Sequence, residues 1–171
     1  MRFEWSPGRL DRRYLGYRTA FDVAFLLAMP DGTEGVIGIE MKYHEVAEVE
    51  KAPSRLRLTR YREVTEVAER DGVFRPGTLE AVVGTPRQQI WRDHLLALSM
   101  SQHPHRRWSW VRFAIVYPAL NGSIAAAVGG YKEVVQRPGP PLRRPWRISS
   151  TPRGRSTRVP PCCFGRGISG A

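Results

Sequence analysis

The 171-residue chain is long enough for one domain with a buried core, and 27 Lys plus Arg against 16 Asp plus Glu give it a formal charge of +11. No apolar run approaches the roughly 18 residues of a membrane span, and the start, Met1-Arg2-Phe3-Glu4-Trp5, has no secretory signal region. The only cysteines, Cys162 and Cys163, are adjacent, which suits neither a disulfide framework nor a four-ligand zinc site, so a soluble, cytoplasmic α/β domain is expected.

A short start leads into a turn at Ser6-Pro7-Gly8 and a second extended stretch, Tyr14-Leu15-Gly16-Tyr17. Thr19 to Met29 and Gly35 to Tyr43 are apolar and rich in strand formers, and Pro30-Asp31-Gly32 between them suits a type I turn closed by a left-handed residue. Two antiparallel strands in a hairpin follow. From Arg55 to Arg70 the apolar positions Leu58, Tyr61, Val64 and Ala68 recur at helical spacing, with Asp71-Gly72 as the stop. A second helix opens on Thr85 as N-cap, Pro86 at the first position and Gln88 at the capping-box position, and runs to about Ser101. Trp108 to Tyr117 reads as a strand stopped by Pro118, and about Gly122 to Val135 reads as a helix, weakened by Gly129-Gly130. This order predicts a mixed sheet with helical cover.

Residues 137–171 carry eight arginines, no lysine and no acid, with seven prolines and five glycines. Residues 1–136 therefore carry a net charge of only +3. The tail cannot bury enough apolar surface to offset chain entropy and is expected to be disordered, with the domain ending at about residue 136. A solvated tail, or GC-rich coding read out of frame, is favoured over a basic arm for nucleic acid.

Chemistry concentrates in the hairpin. Glu40 and Lys42 share one face of their strand, opposite Ile37, Ile39 and Met41, and Asp22 interrupts the preceding apolar strand. A three-residue loop, Pro30 to Gly32, sets Asp22 opposite Glu40. A five-residue loop sets Asp22 opposite Lys42, and a two-residue loop separates Asp22 from both. The Pro-Asp-Gly sequence favours the three-residue form. Two carboxylates and an ammonium at one point suit a Mg²⁺ site acting on a phosphodiester, whereas a buried ion triplet alone would stabilise poorly.

Asp22, a hairpin turn and Glu40-Met41-Lys42 resemble the PD-(D/E)XK nuclease superfamily, the restriction-endonuclease-like fold. Wider strings carry the resemblance across residues 3–135: Trp5-Ser6-Pro7-Gly8-Arg9, Thr19 to Asp22, Gly38 to Glu45, and Gln89 to Leu96. It implies a mixed sheet flanked by helices, and a metal-dependent nuclease, most simply a DNA endonuclease. The alternative it leaves is an inactive nucleic-acid-binding domain of the same fold. It implies that Asp22, Glu40 and the Met41 carbonyl bind Mg²⁺ or Mn²⁺, that Lys42 assists the attacking water, and that chains pair as homodimers for double-strand cutting. Phe21 stands where the motif has proline. The superfamily core opens with a helix that often supplies another acid, and none fits before Arg2, so a truncated product is expected.

Glu45 is a candidate to support the site from behind, and Gln89 and Arg92 are candidates for phosphate contact, although a solvated helix face explains the last two equally well. His94 lies among Ile90, Trp91, Ala97 and Leu98 and reads as a satisfied core histidine. His103 and His105 make a poor zinc site without a third ligand. Arg55, Arg57, Arg60 and Arg62 read as an ordinary charged helix face before a nucleic-acid contact, given the glutamates from Glu63 onward.

Overall fold

A computed structural model describes residues 1–105 and 107–136 of the chain. The arginine-rich segment 137–171, with its expected disorder and the expected boundary at 136, lies outside the described residues. Four strands form one mixed sheet in the order of the chain: β1 (Arg2–Trp5), β2 (Phe21–Ala28), β3 (Glu34–Met41) and β4 (Trp108–Val116). β1, β2 and β3 pair antiparallel, whereas β4 lies parallel to β3. That parallel step needs a crossover, and α1 (Arg55–Arg70), α2 (Thr78–Val82) and α3 (Gln88–Ser101) supply it before α4 (Gly122–Val134) closes the described chain. No helix among the described residues is long and apolar enough to cross a membrane.

The hairpin takes the three-residue loop. Met29 N–H donates to Thr33 O at 2.9 Å, Gly32 N–H donates to Met29 O at 3.0 Å, and Gly32 has φ +76°, a conformation that favours glycine. The resulting register pairs Val23 with Ile39 and Ala24 with Gly38, which brings Asp22 level with Glu40. Gly38 has a second reason to be glycine. The Phe21 ring packs across it so closely that a Cβ there would lie 2.5–2.6 Å from three ring carbons.

The core lies between the sheet and the helices. Phe21, Ala24, Val36, Phe113 and Ile115 from the strands meet Tyr61, Val64 and Ala68 of α1 and Trp91, Leu95 and Met100 of α3. Helix α1 takes the expected bounds, and Gly72, at φ +71°, ends it as the Asp71-Gly72 pair predicts. His94 is the satisfied core histidine that its apolar neighbours predict. Its Nδ1 lies 2.6 Å from the Tyr131 hydroxyl, its ring stacks on Phe113, and burial lowers its pKa to about 3.

Two local expectations need correction, and one short helix goes beyond them. Tyr14 to Tyr17 is a turn and not an extended stretch. The N–H groups of Tyr14 and Gly16 both bond Asp11 O, and the adjacent side chains of Tyr14 and Leu15 are both buried, which strand alternation would not allow. α3 starts at Gln88 without the expected capping box. The Thr85 hydroxyl does accept from Arg87 N–H, but Gln88 Oε1 accepts from Gly84 N–H at 2.8 Å and so does not reach back to Thr85. The five-residue α2 was not expected at all. It is too short to show a period and is tied down by tertiary bonds, Thr78 N–H to Glu69 and the Thr78 hydroxyl to Arg75 O.

Candidate active site

Alternation along β3 puts Val36, Gly38 and Glu40 on the face under the helices, and Lys42 follows on the same side just beyond the strand. Lys42 N–H donates to Val116 O at 2.8 Å, which carries the β3–β4 pairing past Met41 and fixes the lysine backbone. Both side chains are buried, 8% exposed each, and Lys42 Nζ lies 2.7 Å from Glu40 Oε1. Asp22, half-buried on β2, accepts the Met41 N–H through Oδ2 at 2.6 Å. Gln89, in the first turn of α3, donates to Glu40 Oε1 at 3.4 Å. The structure therefore brings together Asp22, Glu40, Met41, Lys42 and Gln89.

The other two expected residues stand further out. Arg92 Nη1 contacts both Glu50 carboxylate oxygens, at 2.9 and 2.7 Å, so in this structure it pairs with an acid of the loop between β3 and α1. Glu45 is exposed and its carboxylate accepts the His44 N–H, but its charge still reaches Lys42.

Electrostatics define what these groups can do. Burial raises the Glu40 pKa, and the Asp22 charge adds to the rise against the opposing pull of Lys42 and Arg92. Burial pulls the Lys42 ammonium down, but the contact with Glu40 and the charges of Glu40, Asp93 and Glu45 outweigh it, so its pKa ends raised. Lys42 is thus a cation throughout the physiological range.

Asp93 was not singled out from the sequence. It is only 3% exposed on α3, its Oδ2 has no hydrogen-bond partner, and its Oδ1 has Arg92 Nε at 3.6 Å. Burial raises its pKa well above the ordinary range, and Glu40 raises it further. The available signal was position: an acid three residues after Ile90 and four before Ala97 falls on the buried stripe of the helix.

Among the described residues, no group of three or more His, Cys, Asp and Glu side chains is arranged to hold a metal ion. The donor chemistry nevertheless fits a hard divalent cation. Asp22 and Glu40 each keep one carboxylate oxygen outside the hydrogen bonds above, and their mutual repulsion is what a cation would relieve.

A sequence model of the PD-(D/E)XK nucleases matches residues 1–149. The chain belongs to the PD-(D/E)XK nuclease superfamily. The matched span takes in the hairpin that carries Asp22 and Glu40-Met41-Lys42, and it runs past Gln136 into the arginine-rich segment. No curated protein and no solved structure matches the chain. The acid-x-lysine step of Glu40 and Lys42 puts both residues on one face, because side chains two apart along extended chain point the same way. Here both side chains of that step turn into the protein, where their charges act with little screening.

Proposed function

We propose that this PD-(D/E)XK chain is a metal-dependent nuclease that hydrolyses phosphodiester bonds, with DNA as its substrate and internal, restriction-like cutting as its activity. The observation that carries this reading is the meeting of two carboxylates and one ammonium at the open end of a single hairpin. Asp22, Glu40 and the Met41 carbonyl would hold Mg²⁺, or Mn²⁺ in its place. Such an ion supplies Lewis acidity to the phosphodiester and acidifies a bound water.

The chain's own groups do the rest. Asp22 is oriented by the Met41 N–H, which leaves its other carboxylate oxygen for the metal. Gln89 and Lys42 both donate to Glu40 Oε1 and fix its carboxylate in one orientation. Lys42, a cation, donates protons in hydrogen bonds; it orients the attacking water and stabilises the charge on the pentavalent phosphate.

Plasmid and single-stranded DNA incubated with Mg²⁺ or EDTA test the proposal, using wild type, Asp22→Asn and Lys42→Met. Cleavage should require Mg²⁺ and fall at least a hundredfold in both variants, with circular dichroism unchanged. Cleavage in EDTA, or undiminished cleavage by Asp22→Asn, would remove the proposed centre. DNA binding by wild type without cleavage would favour an inactive binding domain.

A further inference from the structure

Beside the catalytic pair lies a polar pocket of about 270 Å³ that the nuclease chemistry does not use, lined by Tyr17, Glu50, Lys51, Arg57, Tyr61 and Arg92. Three cations face one acid there, a local net charge of +2. The Arg57 guanidinium lies 3.7 Å above the Tyr17 ring, which holds it in place without neutralising it. Among the described residues neither Arg57 nor Lys51 has an acidic partner. Buried Tyr61 forms part of the wall, and the charges of Arg57 and Arg92 both act on its hydroxyl.

α3 joins this pocket to the chemistry. Gln89 touches Glu40, while Gln88, its neighbour in sequence, lines the pocket. Arg92, three residues further on, lies in the pocket wall and its charge still acts on Glu40. Arg57 also lines a second concavity of about 550 Å³ that carries Arg12 and Arg60. Arg60 is consumed by Glu63 and the carbonyls of Arg13 and Tyr14, so Arg12 and Arg57 supply the available charge along that path.

Building on the nuclease reading, we propose that the Tyr17–Lys51–Arg57–Arg92 pocket is the subsite for the substrate-strand phosphate next to the one cleaved. The strand leaves it past Arg12. Glu50 pairs with Arg92 in the free protein through Nη1, a donor that suits carboxylate and phosphate alike.

The test is fluorescence anisotropy on the full chain with a labelled 12-nucleotide single-stranded DNA in EDTA, titrated at several KCl concentrations. Arg57→Ala and Lys51→Ala should each weaken binding about threefold or more and lower the salt slope by about 0.7. Arg62→Ala removes a cation of the same helix that is paired with Glu80 outside the pocket, and it should bind as wild type. Every variant carries the same arginine-rich segment, residues 137–171. Wild-type binding and slope in both pocket variants, an equal loss in Arg62→Ala, or no binding by any protein would each overturn the proposal. Pocket-dependent binding by a chain that never cuts in Mg²⁺ would leave the strand subsite standing and refute the nuclease reading alone.

Discussion

Replacing Lys42 with methionine keeps the stem and removes the charge, and its cost follows from the site. At 2.7 Å, and with an effective dielectric constant of about 20, the pair attracts by about 6 kcal/mol. Part of that is offset by desolvating two ions, so removing one partner from a buried pair costs about 3–5 kcal/mol. The penalty should depend on pH in a definite sense. With the ammonium gone, burial and Asp22 act on Glu40 against Arg92 alone, so its folded pKa rises further above the unfolded value. A group with a raised folded pKa stabilises below its unfolded pKa, and that stability is lost as pH rises through the folded value. Lys42→Met should therefore lose about 3–5 kcal/mol relative to wild type at pH 8.5, and less than that at pH 5. Urea unfolding followed by the fluorescence of buried Trp91 measures both values. Adding Glu40→Gln to Lys42→Met should recover most of the loss at pH 8.5. An equal penalty at the two pH values would refute the claim that Glu40 is the group left stranded.

Two further expectations follow from particular contacts. Gly38→Ala drives a methyl to within 2.5–2.6 Å of the Phe21 ring and should cost about 1–3 kcal/mol in urea unfolding. The same change made on a Phe21→Leu background should cost under about 1 kcal/mol. Asp93→Asn removes a buried carboxyl whose Oδ2 lacks a partner, so the variant should be at least as stable as wild type at pH 8. Because the folded pKa of Asp93 is raised, wild type loses stability as pH rises above the carboxyl range. The advantage of the variant should therefore shrink toward pH 4, and an advantage constant with pH would contradict that assignment.

The hairpin was legible because two local rules coincide there. Pro30-Asp31-Gly32 dictates a three-residue loop, and strand alternation then carries the register from Met29 and Thr33 down to Asp22 and Glu40. α1 was legible from its period and from Gly72. Residues whose role depends on contacts distant in sequence were not. Glu50 sits in an irregular loop and gains meaning only from Arg92, 42 residues later. Asp93 is informative only once its buried neighbours are known to leave Oδ2 without a partner. Tyr14 and Leu15 have strand-like composition, yet the turn around Gly16 buries both against the core. Arg60 looked like a surface cation and instead ties α1 to the loop through Arg13 and Tyr14 carbonyls.

Anomalous diffraction from crystals grown with Mn²⁺ tests the proposed hydrolytic centre most directly. An ion bonded to carboxylate oxygens of both Asp22 and Glu40, about 2.0–2.2 Å away, is the predicted result. An ion bound elsewhere, or a site that stays empty at millimolar Mn²⁺ with the Glu40–Lys42 contact intact, would contradict it.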